Sequence, residues 1–215
     1  ANAAVNGPWI CNKGRDLARI FERPRAGEPL LKGRPVTLLQ ATSAARGLIA
    51  ESARPVALVS NWGSNEELAA FKRALGSRFT CFVKRDHLPA ADEPVEDDLL
   101  IRADKNPNSA TAHELFGEAP IAFPDRTDLV LVWGEGVDFA SLPRGARVIL
   151  LGSYLAPENG HADVFVPISI QTERAGHYTN FAGVASRFER CFAKAPTVAH
   201  AEEFFAQLAV TAGAT

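Results

Sequence analysis

The chain has 215 residues, 47% of them hydrophobic and 22% charged, enough to bury one substantial core in an ordinary globular domain. Its 23 basic and 25 acidic side chains give a formal net charge of -2, so no strong field gathers nucleic acid or anionic lipid, and no nucleic-acid partner is expected. No apolar run reaches the roughly 18 to 20 residues that cross a bilayer, and the first residues lack the basic-then-apolar pattern of a secretory signal; a cytoplasmic location without direct membrane insertion is the expectation.

Three cysteines, Cys11, Cys81 and Cys191, lie far apart and are odd in number, which fits reduced thiols better than a disulfide framework. Methionine is absent altogether, so the chain reads as one processed or cut from something longer.

In chain order, "WICNKGR" (Trp9 to Arg15) sets Cys11 between an apolar pair and a basic turn. A free thiol and a metal ligand are both open to it. An iron-sulfur cluster needs about four thiolates, and Cys81 and Cys191 fall in a strand-like run and a C-terminal segment, so this chain alone cannot build one. Next, Glu22 to Pro35 is broken by Pro24, Pro29, Pro35, Gly27 and Gly33 and is expected to run extended over the surface. A helix is expected over Thr42 to Ser52.

"PVALVS" (Pro55 to Ser60) has the continuous apolar character of a strand covered on both faces. Ser64 with Glu67 three residues on is a capping box, Leu68, Phe71 and Leu75 repeat at helical spacing, and Gly76 ends the helix. "FTCFV" (Phe79 to Val83) is the next strand, and His87 to Asp98 an acidic, proline-punctuated connection. Asp104 to Asn108 is a polar turn ahead of a short helix, Ser109 to Phe116. Asp128 to Trp133, Ala146 to Gly152 and Asp163 to Ile170 complete the buried-type strands, and a helix is expected over Thr197 to Val210, with Phe204, Phe205 and Leu208 on its apolar face. Apolar strands alternating with helices favour an α/β fold with an open, mostly parallel sheet and helices on both faces.

Such sheets bind ligands beyond the carboxyl ends of their strands, where loops meet helix N-termini. "SNWGSNEE" (Ser60 to Glu67) occupies that place, and Asn61, Gly63, Ser64 and Asn65, helped by Asn106 and Asn108, are the candidate cofactor-binding residues; the plain alternative is a tight, well-capped turn. "WGEG" (Trp133 to Gly136) is a second turn of this kind. The histidines at 87, 113, 161, 177 and 200 never fall at metal spacing with a carboxylate or cysteine, and no nucleophile elbow appears, so no catalytic residues are assigned.

"VNGPWICNKGRDLARIFERPRAGEPLL" resembles the segment that closes the iron-sulfur portion of the large iron-sulfur subunit of complex I, the NADH-quinone oxidoreductase of bacteria, and of its molybdopterin-dependent formate dehydrogenase relatives. "SNWGSNEELAAFKRALGS", "LLIRADKNPNSATAHELFG" and "DVFVPISIQTERAGHYTNFAGVASRFERCF" are similar to later family segments in the same order. Asn12 stands where the family has Asp, and Glu28, Pro29 and Leu30 keep only part of a second element. The resemblance implies a molybdopterin-oxidoreductase-like fold, with an N-terminal arm over residues 1–35 from the end of an iron-sulfur region and a single α/β domain over 36–215.

It also implies that Cys11 is the last ligand of a [4Fe-4S] cluster completed by upstream cysteines outside this chain. Molybdopterin is expected to be absent, because the chain is short and offers no Ser, Cys or Asp to ligate molybdenum or tungsten. The implied role is that of a non-catalytic electron-transfer and scaffold subunit, partnered by other subunits of an NADH-oxidising or formate-oxidising complex and held by them at the cytoplasmic face of the inner membrane. A subunit that keeps a pterin or nucleotide site, and a free-standing binding module, are the alternatives.

Overall fold

The computed structural model of the chain describes residues 22–85, 96–98 and 102–209. Seven strands form one open sheet: β1 (Leu30–Leu31), β2 (Arg34–Pro35), β3 (Pro55–Ser60), β4 (Thr80–Lys84), β5 (Leu129–Trp133), β6 (Arg147–Gly152) and β7 (Val164–Pro167). Their order is β2-β1-β7-β6-β5-β3-β4. The five strands from β3 to β7 are mutually parallel, and β1 and β2 join antiparallel at the β7 edge. Five helices accompany them among the described residues: α1 (Leu38–Glu51), α2 (Asn65–Leu75), α3 (Ser109–Phe116), α4 (Pro157–His161) and α5 (Ala201–Leu208). None is long and apolar enough to cross a membrane.

The three apolar runs expected at the centre are there. Every residue of β3 and β5 is buried, as is every residue of β6 after Arg147. Alternation along each strand divides the core. Ala57, Val59, Leu129, Leu131, Trp133, Ile149 and Leu151 face helices, meeting Ala41, Ala45 and Ile49 of α1, Leu68, Phe71 and Leu75 of α2, and Phe204, Phe205 and Leu208 of α5. Phe71 stacks on Trp133 at 6.0 Å between ring centroids and takes Phe205 edge-on at 4.9 Å.

The opposite face differs from the expectation of helices on both sides. Val56, Leu58, Val130, Val132, Val148 and Leu150 are closed over by Ala26, Ala162, Phe123, Val137, Phe139 and Leu142, and no residue of a described α-helix belongs to this second cluster. The connection from β5 to β6 shows why. Gly134, Gly136 and Gly145 all adopt positive φ, and Pro143 interrupts the rest, so only the 3-10 turn Phe139–Ser141 forms.

The segment up to Leu31 is extended, but the chain then reverses at Lys32 and Gly33, both at positive φ, and the segment is built into the sheet and core where an extended run over the surface was expected. The Ala26 amide donates to the Ser153 carbonyl and the Leu155 amide to that of Pro24, after which β1 pairs Leu30 with Phe165. Helix α1 begins earlier than its apolar spacing announces, because Thr37 and Gln40 form a capping box. Helix α5 begins later than Thr197, because the Ala199 amide donates to Pro167 and its carbonyl accepts from Ser169, extending the sheet edge first. A two-stranded hairpin, β8 (Gly176–Thr179) with β9 (Ala185–Phe188), was not expected.

Candidate functional site at the carboxyl ends of the parallel strands

In chain order the parallel block reads 2-1-3-4-5, so successive connections leave in opposite directions between β3 and β5. A crevice opens at such a switch point. The loops leaving β3, β5, β6 and β7 enclose a pocket of about 260 Å³ there, lined by the apolar surfaces of Trp62, Trp133, Tyr154, Ile168 and Ile170 and by the charged Arg23, Glu135 and Arg174.

Glu135 stands between Gly134 (φ 85) and Gly136 (φ 82), a conformation open to glycine and strained for other residues. The Gly134 amide donates to Leu151, and the buried Lys84 at the end of β4 donates from Nζ to the Glu135 carbonyl. Arg23 lies 3.9 Å above the Tyr154 ring centroid and donates to Glu135 Oε2 at 2.6 Å. Arg25 anchors the same strap: Nε donates to the Ser153 carbonyl and both terminal nitrogens donate to Glu173, each at 2.9 Å.

Of the six residues singled out from sequence, the structure brings Asn61, Gly63, Ser64, Asn65 and Asn108 together, with their hydrogen bonds turned inward. A Cβ on Gly63 would lie 2.5 Å from the Trp133 ring, so only glycine passes there. Ser64 accepts from the Glu67 amide while its own amide donates to Glu67 Oε2. Asn65 donates to Thr179 Oγ1 and accepts from Thr111, and the Asn61 carbonyl accepts from the Asn108 amide. Asn108, fully buried, donates from Nδ2 to the Gly63 carbonyl at 2.7 Å and accepts the Thr179 amide at 2.8 Å. Asn106 instead folds onto Asp104, donating to its carboxylate from both backbone and side chain.

These residues thus join the β3 loop to α3 and the hairpin. The N-terminus of α2, a ready anion site in principle, carries the chain's own carboxylates. Glu67 takes the Ser64 amide, Glu66 takes the His177 amide and ring at 2.9 and 2.6 Å, and Gly176 lies directly over Ser64. Partial burial works to raise the Glu66 pKa, but the hydrogen bonds from His177, its own amide and Ser64 together outweigh it and hold the carboxyl below its ordinary value. A phosphate arriving here would find both carboxyl groups already in its place.

Arg174 ties the site together. It donates to the carbonyls of Ser169 (2.9 Å) and Trp62 (2.7 Å) and to Tyr178 Oη (3.2 Å), and pairs with Glu67 at 3.1 Å. Burial pushes the Glu67 carboxyl above the usual carboxylate range, against the pull of Arg174 and the Ser64 amide. Burial likewise raises the Tyr178 phenol, keeping it neutral and able to donate to the Trp62 carbonyl.

The proposed cluster ligand Cys11 lies outside the described residues. Cys81 is partly buried in β4, and burial pushes its thiol up to about 11, whereas Cys191 is exposed. Since the thiolate is the nucleophile, iodoacetamide at neutral pH is expected to modify Cys191 well ahead of Cys81, read by peptide mass spectrometry; equal rates would contradict the buried setting of Cys81. Among the described residues, no group of three or more His, Cys, Asp or Glu is placed to hold a metal ion.

Sequence reasoning missed Arg23, Trp62, Glu135, Tyr154 and Arg174. The local signals were the "WGEG" turn, which holds Glu135, and the Ser60 to Glu67 loop, which holds Trp62. The others reach the pocket from loops whose convergence depends on strand order. Comparison with protein-family models finds no match for the chain, and comparison with curated proteins finds none either.

Proposed function

We propose that this chain is the α/β domain of an iron-sulfur, electron-transfer subunit of an NADH-quinone oxidoreductase type complex, serving as scaffold and contact surface without a molybdopterin of its own. The electron-transfer part rests on the resemblance around Cys11. The scaffold part rests on one observation: the residues best placed to cradle a phosphate at the α2 N-terminus are spent on internal hydrogen bonds, with Glu66 and Glu67 in the anion's place.

In this reading Cys11, with cysteines of preceding sequence, holds a [4Fe-4S] cluster, which supplies one-electron transfer when bound. The domain's own residues fix position. Arg25, bonded to Ser153 and Glu173, fastens to the sheet the segment that continues from the Cys11 stretch. Other subunits of the NADH-oxidising assembly are the partners.

The test is Cys11→Ser in the assembled complex. One [4Fe-4S] signal in low-temperature paramagnetic resonance is expected to disappear, with a matching loss of iron, and metal analysis is expected to find neither molybdenum nor tungsten. Unchanged signals and iron content would remove Cys11 from the ligand set. Stoichiometric molybdenum or tungsten with an extractable pterin would favour a formate dehydrogenase-like catalytic subunit instead.

A further inference from the structure

At the other end of the strands from the switch-point pocket, a groove of about 450 Å³ runs between α1 and the β1/β2 edge of the sheet. Arg147 and Val164, the first residues of β6 and β7, place it at the amino ends of the parallel strands. Half-buried Leu31, Ala44 and Leu48 give it an apolar lining, and three exposed cations, Lys32, Arg34 and Arg147, stand around them. The chain turns at Lys32 (φ 49) and Gly33 (φ 76), and the Lys32 amide donates to the Asp163 carbonyl, so the turn that carries Lys32 and Arg34 is pinned to the sheet. The Asp163 carboxylate in the lining already accepts from Arg147 at 2.6 Å and from the Val148 amide at 2.8 Å. Among the described residues, Lys32 and Arg34 have no ion pair.

The complement to this groove is on the same molecule. Glu96, Asp97 and Asp98 are three consecutive exposed carboxylates, in an acidic stretch from Asp92 to Asp98 that holds no lysine or arginine. Glu96 lies 3.7 Å from Arg102, and Arg102 stands 4.5 Å from the Phe181 ring, which sets the triplet beside the β8–β9 hairpin. Through Asn108 that hairpin is fixed to the loop leaving β3, at the carboxyl ends of the strands. Groove and triplet therefore stand at opposite ends of the strands, and one copy does not fill its own groove. We propose that copies of this chain associate head to tail, the Glu96–Asp98 carboxylates of one copy seated on Lys32 and Arg34 of the next. The pair that Glu96 makes with Arg102 is more than half exposed on both sides and competes weakly. Docking is through side chains, because β2 has two residues and Pro35 offers no amide for a further strand. An anionic membrane is a poorer occupant, since it would draw a chain of net charge -2 against a negative surface. Groove and triplet are different surfaces, so the contact is heterologous and each copy both gives and receives one. This assignment stands independently of the role of Cys11.

The experiment is sedimentation velocity of the purified chain over a range of concentration and salt. At low salt the average sedimentation coefficient is expected to rise with concentration and to pass that of a dimer. Raising the salt from about 0.01 to 0.15 M, which shortens the Debye length from roughly 30 to 8 Å, is expected to weaken association at least about tenfold. Lys32→Glu with Arg34→Glu, and separately Asp97→Lys with Asp98→Lys, are each expected to abolish it. Mixing the two variants is expected to restore it, because the acidic triplet of the first then meets the unaltered groove of the second. A chain that stays monomeric at millimolar concentration and low salt overturns the proposal, as does association that stops at a dimer. Charge reversals that leave association unchanged, or a mixture that fails to recover it, overturn the proposal as well. The concentration and salt series uses the unaltered chain, so the proposal remains decidable if a reversed variant fails to fold.

Discussion

Arg174→Met is expected to lower the unfolding free energy by about 3–5 kcal/mol at neutral pH, the cost typical of removing one partner from a buried ion pair. The guanidinium holds three backbone or phenol oxygens besides the Glu67 carboxylate, and Glu67 is itself 4% exposed. Methionine fills the volume and donates nothing. Glu67 is then left with the Ser64 amide alone, and its carboxyl, already raised by burial, rises further. The sign of the pH dependence follows. A carboxyl whose folded pKa lies above its unfolded value disfavours folding once it ionises, so the folded state is penalised above that pKa and relieved as pH falls through it toward the unfolded value. The deficit of Arg174→Met relative to the parent is therefore expected to be largest near neutrality and to shrink on acidification. Urea denaturation at several pH values measures it. A deficit below about 1 kcal/mol at neutrality, or one that grows as pH falls, would show that the pair does not hold the site together.

Asn108→Ala is expected to cost about 2–4 kcal/mol, since it strands the buried Gly63 carbonyl, at about 1–3 kcal/mol, and breaks the bond to the half-buried Thr179 amide, at about 1 kcal/mol. The two groups belong to different elements, and the loss has a spatial signature. Amide hydrogen exchange at Thr179 and its neighbours in β8 is expected to accelerate more than exchange in the central strands β5 and β6. Asn108→Asp separates the two bonds, because it keeps the acceptor for Thr179 and removes the donor to Gly63. Its hairpin is expected to stay protected while overall stability falls. Uniform acceleration across the sheet in Asn108→Ala would mean that the side chain supports the core in general and has no particular hold on the hairpin.

The parts of the fold that could be read from sequence are those where one physical signal acts alone. Val56 to Val59, Leu129 to Val132 and Val148 to Leu151 are near-continuous apolar runs because both sides are covered, and the strands that hold them proved central and parallel. Ser64 and Glu67 announced the start of α2 by spacing alone. Where two signals compete, boundaries moved: Thr197 can cap a helix, but Ala199 pairs with Ile168 first. The hairpin carries no continuous apolar run. Its residues belong to neither hydrophobic cluster, and it is held by His177, Thr179 and Tyr178 through polar bonds to partners more than 70 residues distant in sequence. The candidate site was half legible for the same reason. Asn61, Gly63, Ser64 and Asn65 stand in one loop whose place beyond a strand is a local inference, and they do converge. Whether they face a ligand or each other depends on Asn108, Arg174 and Gly176, which strand order alone brings there.

The pairing of β1 with β7 also sets an order of events. Beyond its local pairing with Pro35, Leu30 finds its sheet partner in Phe165, and Arg25 finds its carboxylate in Glu173. On a ribosome, where chains emerge from the N-terminus at about 5–20 residues per second, the strap and β1 leave the exit tunnel long before either partner exists. The parallel strands β3, β5 and β6 can pair with one another meanwhile. The arm is thus synthesised before the rest of the sheet and is among the last segments fastened. For a stretch proposed to end in a cluster ligand, this leaves an interval in which Cys11 can receive its metal before the strap is locked to the sheet.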